Sequence, residues 1–203
     1  MKHAVVFAAR DMAKTPISDA NGAKAAPQIV ALAGFMGSGK TSTGQALSDL
    51  LGWEFIDLDS EIEAHEGAAI RHLVQERGEA AFREIENEAL LRCLERCFQS
   101  TVMALGGGAF AQPNNAEVLR RSHALSVFLD TPIEDMLQRC GVQEEADPAN
   151  PRPLAADASA FRNLYEKRMP YYREASVTVN TAGKSVAEVA REIAEKLGLK
   201  PER

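Results

Sequence analysis

The stretch from Gly34 to Thr41 restricts the possible folds of this chain more than any other part of the sequence. It reads Gly-Phe-Met-Gly-Ser-Gly-Lys-Thr, which fits the pattern of a glycine, four residues, a glycine, a lysine and a hydroxyl residue. Such glycines let backbone N–H groups approach phosphate oxygens, while Lys40 brings a positive charge to the β- and γ-phosphates and the Thr41 hydroxyl can ligate Mg²⁺. The pattern therefore predicts a phosphate-binding loop.

The residues on both sides of this loop have the periodicity that a phosphate-binding loop requires. Residues 28–33 form an apolar run typical of a buried strand, and residues 40–51 place apolar side chains on one helical face before Gly52 ends the pattern. The N-terminus of the predicted helix adds partial positive charge to the same anion site. We expect the nucleotide phosphates to be bound by Gly37, Ser38, Gly39, Lys40, Thr41 and Ser42.

Strand patterns and helix patterns alternate along the rest of the chain. Further strands are predicted at residues 54–59, 101–105, 125–129 and 177–179. Helices are predicted at residues 60–66, 70–77, 79–97, 113–121, 132–140, 158–174 and 186–197, with breaks at Gly67 and Gly78. This alternation predicts an α/β fold with a parallel sheet, and a length of 203 residues suits a single domain.

Two segments of the sequence lack the periodicity of packed elements. Residues 1–27 are rich in small and polar residues, so we expect a disordered leader ahead of a single domain over residues 28–203. Residues 141–156 are polar and contain three prolines, and Arg152 stands between two of them. We interpret this second segment as a mobile lid, and an ordinary surface loop is the alternative.

Charge and cysteine content make several classes of partner unfavourable. A net charge of −6 repels nucleic acid and anionic membrane surfaces, and no apolar run reaches the 18 residues expected of a membrane span. Three cysteines are too few for a secreted disulfide framework. Cys93 and Cys97 are better explained as core residues than as a metal or redox pair, because no histidine or third cysteine completes a site. We expect a cytoplasmic monomer without nucleic-acid or membrane partners.

The ends of two predicted strands carry residues suited to ligand binding, since ligands of α/β sheets lie at the carboxyl ends of the strands. Asp57 and Asp59 end the strand at 54–59, so one can hold Mg²⁺ with Thr41 and the other can accept a hydrogen bond from a substrate hydroxyl. Capping of the next helix by Asp59, before Ser60, is an alternative that is compatible with either role. The three glycines at 106–108 imply close approach of a ligand to the backbone.

Six stretches together resemble the shikimate kinase family. They are Gly34–Thr41, Phe55–Asp59, Gly78–Arg83 with Glu86, Leu105–Ala109, Arg152–Leu154 and Arg168–Tyr172. The phosphate loop alone is shared by many functions, but the whole set in this order is specific. The resemblance covers residues 28–198 and implies the fold of a nucleoside monophosphate kinase-like P-loop NTPase. That fold is a three-layer sandwich with a five-stranded parallel sheet, helices on both faces and a mobile lid.

The resemblance also implies an activity and a role for each matching residue. The activity is ATP-dependent phosphorylation of the 3-hydroxyl of shikimate, with Mg²⁺ as the cofactor. The implied catalytic residues are Asp59 as base, Lys40 on the phosphates and Arg152 on the transferred phosphate, while Thr41 and Asp57 serve the metal. The implied substrate-binding residues are Asp59, Arg83, Arg168, Gly106, Gly107 and Gly108, and Arg139 is expected near adenine.

Two other functions remain as alternatives at this point. The first is a related carboxylate-polyol kinase such as a gluconate kinase, which would share the phosphate loop but lack the Phe-Arg and triple-glycine stretches. The second is a regulatory domain that binds nucleotide without turnover, for which an acceptor base and paired arginines would be unnecessary. Paired arginines suit an anionic acceptor, because a guanidinium and a carboxylate form two parallel hydrogen bonds.

Overall fold

The computed structural model describes residues 28–142 and 158–202, which form a parallel five-stranded sheet covered by helices. The strands are β1 (Ile29–Ala33), β2 (Glu54–Asp57), β3 (Thr101–Ala104), β4 (Leu125–Asp130) and β5 (Val177–Asn180). The helices are α1 (Lys40–Leu51), α2 (Leu58–Glu66), α3 (Ile70–Glu95), α4 (Pro113–Arg121), α5 (Ile133–Cys140), α6 (Ala158–Tyr172) and α7 (Val186–Leu197). The sheet order is β2-β3-β1-β4-β5. The predicted α/β fold is confirmed.

Helices cover both faces of the sheet. Successive strand residues point to opposite faces, so each strand contributes side chains to two cores. Val30 and Leu32 of β1 belong to a core that is closed by α1 and α7. Ala31 and Ala33 of the same strand belong to a second core, to which α2, α3, α4, α5 and α6 all contribute. The result is the three-layer sandwich expected from the resemblance, with the sheet as its middle layer.

The order of the strands brings three chain segments to one edge of the sheet. β1 is central and pairs in parallel with both β3 and β4, while β2 pairs with β3. The carboxyl ends of these strands therefore lie side by side. The phosphate loop follows β1, Asp57 ends β2, and the glycine turn at Gly106–Gly108 follows β3. This is the position at which parallel α/β sheets bind their ligands.

The end of β2 differs from its sequence prediction. The strand stops at Asp57 and α2 begins at Leu58, two residues earlier than predicted. Asp57 is the N-cap of α2, and its carboxylate accepts a hydrogen bond from the backbone N–H of Ser60 at 3.2 Å. The alternative that Asp59 caps this helix is therefore wrong, since Asp59 already lies in the first helical turn. The two carboxylates thus start from different backbone environments.

The predicted break at Gly78 is confirmed. Gly78 has φ 82° and ψ 164° inside α3, a conformation that favours glycine because it has no Cβ. The chain on either side of Gly78 is helical, without a connecting loop. The part after Gly78 carries Glu79, Arg83 and Glu86.

The remaining predictions have different outcomes. Cys93 and Cys97 lie in the core as predicted, and the Cys97 thiol donates to the Cys93 carbonyl at 3.2 Å. Within the described ranges, no helix combines the length and the apolarity needed to cross a bilayer. The leader at 1–27, most of the lid at 141–156 and Arg152 itself lie outside the described residues.

Candidate functional site

The phosphate loop wraps around the N-terminus of α1. Gly37 and Gly39 have φ values of 77° and 88°, and Gly39 caps the helix without a side-chain bond, so the first N–H groups of α1 remain available to an anion. The Lys40 ammonium donates to the Phe35 carbonyl at 3.0 Å, which keeps its charge over the loop. The Ser38 hydroxyl is buried and makes no hydrogen bond in the described part of the chain. This arrangement suits a bound phosphate chain.

Burial lowers the pKa of the Lys40 ammonium group. The side chain as a whole is half-buried, but its ammonium group lies where desolvation lowers its pKa to about 8, against a smaller raising effect of Asp59 and Asp57. A phosphate chain favours the charged ammonium. Binding of nucleotide should therefore return a proton to this lysine at alkaline pH.

We expect nucleotide binding to take up a proton on Lys40 near pH 8. Below its pKa of about 8 the free lysine is already charged, and above it the lysine must gain a proton to pair with phosphate, so ATP affinity should fall as the pH rises. Calorimetry in two buffers with different ionisation enthalpies measures this uptake directly. Lys40→Arg stays charged and should abolish the uptake, whereas equal heats in both buffers for the unsubstituted protein at about pH 8.5 would contradict the assignment.

The two predicted metal residues are in contact. The Thr41 hydroxyl donates to one carboxylate oxygen of Asp57 at 2.7 Å, and the other oxygen accepts from Ser60. No group of three or more His, Cys, Asp or Glu residues suited to a metal occurs among the described residues. One hydroxyl and one carboxylate nevertheless fit Mg²⁺, which usually takes few protein ligands and completes its shell with water and substrate phosphates.

The glycine turn after β3 lies against Asp59. A Cβ atom built on Gly106 would come within 2.5 Å of Asp59 Oδ1, so only glycine leaves room for this carboxylate. Burial raises the pKa of Asp59, as does the nearby Asp57, while Lys40 and Arg83 oppose the shift. A carboxylate with a raised pKa is a better proton acceptor than an exposed one.

Arg83 and Arg168 converge on Gly108 from different helices. A Cβ on Gly108 would lie 2.8 Å and 2.9 Å from the two terminal nitrogens of Arg83 and 3.1 Å from Nη2 of Arg168. Arg168 also donates to the Gly107 carbonyl at 3.2 Å. The structure thus brings two cations, the glycine turn and Asp59 to one pocket, as the sequence-based hypothesis requires.

Two residues without a predicted role hold this pocket together. Nη1 of Arg83 donates to both carboxylate oxygens of Glu86 at 3.0 Å, and Glu86 is only 1% exposed. Tyr172 is buried, its hydroxyl donates to the Gly107 carbonyl, and burial raises its pKa to about 12. Glu86 belongs to the motif that carries Arg83, but a helical pattern cannot tell an exposed carboxylate from a buried one.

Arg83 is engaged on a second side as well. Its Nη2 donates to the carboxylate of Glu79 at 3.1 Å, and the Glu79 side chain is 69% exposed. The Nε atom of Arg83 is buried and has no hydrogen-bond partner in the described part of the chain. The Nε–Nη2 edge of Arg83 is therefore the part of its guanidinium group that the buried Glu86 does not hold.

A cavity of about 240 Å³ opens beside the phosphate loop, with Ser38 and Gly39 in its lining. Ser42 and Arg139 line it, as expected for nucleotide-binding residues, and Arg139 donates to the Gly37 carbonyl at 3.1 Å. Lys184 also lines it, together with Val186 and Val189 at the start of α7. The cavity has room beside the phosphate site for part of a nucleotide.

Sequence reasoning missed two threonines that join this cavity to the phosphate loop. The Thr181 hydroxyl, which also lines the cavity, donates to the Thr131 hydroxyl at 2.8 Å, and Thr131 donates to the Ser38 carbonyl at 3.2 Å. Thr131 and Thr181 directly follow β4 and β5, which pair as neighbours. A hydroxyl residue immediately after two adjacent strands was the signal that could have revealed them.

Comparison with known proteins gives one consistent family. A family model described as shikimate kinase matches residues 36–198. A shikimate kinase of Persephonella marina is 36% identical over 163 residues, which cover 80% of this chain and 94% of the relative. One from Moorella thermoacetica is 37% identical over 174 residues, covering 84% of this chain and 95% of the relative.

A solved structure agrees with these sequence matches. The shikimate kinase from Acinetobacter baumannii in complex with shikimate aligns with a TM-score of 0.74 and 35% identity, covering 84% of this chain and 93% of that chain. The matched region includes the phosphate loop from Met36, both aspartates, the glycine turn and both converging arginines. The chain therefore belongs to the shikimate kinase family.

Proposed function

We propose that this enzyme transfers the γ-phosphoryl group of ATP to the 3-hydroxyl of shikimate, giving shikimate 3-phosphate and ADP. The observation that carries the proposal is the convergence of Arg83 and Arg168 on Gly108, in a pocket that also contains Asp59. Two guanidinium groups in one pocket suit a carboxylate-bearing acceptor, and the adjacent carboxylate suits its hydroxyl groups. The phosphate loop after β1 lies at the same edge of the sheet and supplies the donor side.

In this proposal the chain acts mainly by positioning and by neutralising charge, as phosphoryl transfer requires. Arg83 and Arg168 hold the acceptor carboxylate and so fix the orientation of the ring and of its 3-hydroxyl. Asp59 orients the reacting hydroxyl and takes its proton, which its raised pKa favours. Lys40 and the N-terminus of α1 balance the charge on the phosphates.

We also propose a Mg²⁺ ion and a role for Arg152, which lies outside the described residues. Mg²⁺ would be held by Thr41 directly and by Asp57 through water, and when bound it supplies charge neutralisation on the phosphates. Arg152 would reach the transferred phosphate from the lid. The free cysteines and the acidic surface are compatible with a cytoplasmic monomer.

The direct test is ADP release with Mg-ATP against a panel of acceptors. Shikimate should be turned over, while quinate, gluconate and nucleoside monophosphates should give rates lower by about tenfold or more. Quinate has a saturated ring and an added hydroxyl on the carbon that bears the carboxylate, gluconate is acyclic, and nucleoside monophosphates carry no carboxylate. Preferred turnover of gluconate would favour the polyol kinase alternative. Nucleotide binding without ADP release for any acceptor would favour the regulatory alternative.

The arginine pocket gives a second test of the same proposal. Arg83→Lys keeps the charge but loses the forked donor set, so the shikimate KM should rise by at least roughly tenfold with ATP binding nearly unchanged. Arg71→Lys, on the exposed side of the same helix, is the matched control. An unchanged KM for Arg83→Lys would remove this residue from the pocket.

A further inference from the structure

Asn115 is a buried polar residue that none of the roles above includes. It lies in the first turn of α4 and is 1% exposed, although asparagine is usually found at the surface. Its amide nitrogen donates to the Ala109 carbonyl at 3.0 Å and toward Glu86 Oε2 at 3.5 Å. Its amide oxygen accepts from the Asn87 side chain at 2.7 Å. Both amide hydrogens and the oxygen are thus engaged.

These contacts connect the two walls of the acceptor pocket. Ala109 immediately follows the glycine turn, and its N–H donates to the Gly106 carbonyl at 3.1 Å, so its position and that of the turn are coupled. Glu86 belongs to α3 and holds Arg83. Asn115 is therefore hydrogen-bonded at once to the backbone beside the turn and to the carboxylate that orients the arginine.

We propose that Asn115 is a positioning residue for carboxylate recognition. It fixes the glycine turn relative to α3 and keeps Glu86 ionised and directed at Arg83. This inference rests on the proposed function, because the group that Arg83 recognises is the carboxylate of the acceptor. Asn115 acts only through Glu86 and the turn.

The chemistry of Glu86 makes this role measurable. Burial raises the pKa of Glu86, and the charge of Arg83 opposes the shift. A donor to the carboxylate favours its ionised form, so loss of the Asn115 amide hydrogen should raise the pKa further. Among the described residues, the charged and titratable groups that face Glu86 are Arg83 of its own helix α3, Asp59 of α2, and Arg168 and Tyr172 of α6. Protonated Glu86 cannot hold Arg83 in two charge-assisted bonds.

The test is the shikimate kinetics of Asn115→Asp across about pH 5 to 9, with Asn114→Asp as the control. Aspartate keeps the shape and the acceptor for Asn87 but replaces both donors by an anion next to Glu86. We expect the shikimate KM to rise by roughly tenfold, with kcat and the ATP KM within about twofold. The acidic limb of kcat/KM for shikimate should move to higher pH. Asn114 is the exposed neighbour on the same helical turn, so its variant should match the unsubstituted enzyme.

Each other outcome removes the proposal. In a folded Asn115→Asp enzyme, an unchanged shikimate KM and an unchanged acidic limb of kcat/KM would leave Asn115 without this role. So would a fall in kcat accompanied by equal rises in the KM values of shikimate and ATP. Asn115→Ala is measured in parallel. If circular dichroism shows that both variants are unfolded, Asn115 has a structural role and the proposal fails. If the unsubstituted enzyme turned over no shikimate, the proposed function would fail first and this inference with it.

Discussion

Replacement of Asp59 by asparagine should lower kcat for shikimate by roughly 10²- to 10⁴-fold, the usual contribution of a general base. The amide keeps the size and polarity of the side chain but cannot accept the hydroxyl proton. We expect a fall at the lower end of this range, because a loose phosphoryl-transfer transition state depends little on proton removal by the base. Excess Mg²⁺ should not restore the activity.

Asp57→Asn is the matched comparison for this experiment. Asp57 contacts Thr41 and caps α2, so its loss of charge should raise the Mg²⁺ requirement, and excess Mg²⁺ should partly restore turnover. The measurement is kcat of both variants across a Mg²⁺ titration, with shikimate binding followed separately by calorimetry. Rescue of the Asp59 variant but not of the Asp57 variant would reverse the two assignments, and full activity of both would exclude a role of these aspartates in the reaction.

Gly108→Ala should raise the shikimate KM by about a hundredfold while leaving ATP binding nearly unchanged. The added methyl group would lie 2.8 Å and 2.9 Å from the two terminal nitrogens of Arg83, which must move away from the turn, and 3.1 Å from Nη2 of Arg168, which must yield by a few tenths of an ångström. A hydrogen bond to a charged group contributes about 1.5 to 3 kcal/mol, and losing one lowers affinity by roughly ten- to a hundredfold. Because Arg83 is held by the buried Glu86 and cannot move without disturbing that pair, the upper value is expected.

A double-mutant cycle shows whether this effect passes through the arginines. The effect of Gly108→Ala should shrink in an Arg83→Ala background, because the arginine that the methyl group displaces is already gone. Additive effects would mean that the methyl group acts in another way, for example on the backbone of the turn. Equal ATP affinity in all four proteins is the control for the fold of the phosphate loop.

The phosphate loop and the sheet could be predicted because local pattern specifies them. The spacing of Gly34, Gly39, Lys40 and Thr41 allows few conformations, and α1 has the predicted bounds, Lys40–Leu51. The start of α2 could not be placed in the same way, since Asp57 and Asp59 are both acceptable caps in sequence. Only the structure shows which carboxylate faces the Ser60 N–H.

Long-range contacts explain most of what the sequence did not reveal. Glu86 and Asn115 are 29 positions apart and on different helices, and each would be acceptable on an exposed helical face. Their burial depends on how α3 and α4 pack beside the glycine turn. Thr131 and Thr181 are similarly 50 positions apart, and they meet only because β4 and β5 are neighbours in the sheet.

If Arg83 binds the acceptor carboxylate as proposed, its pairing with Glu79 means that the acceptor pocket exchanges one anion for another. Without substrate, the exposed carboxylate of Glu79 forms an ion pair with Nη2 of Arg83. It offsets the repulsion between Arg83 and Arg168, and it can leave for water at little cost because it was never fully desolvated. Glu86 is buried and cannot leave in this way. Glu86 thus stays paired with Arg83, whereas Glu79 is replaced by the substrate carboxylate. The net charge of the pocket is therefore the same with and without substrate.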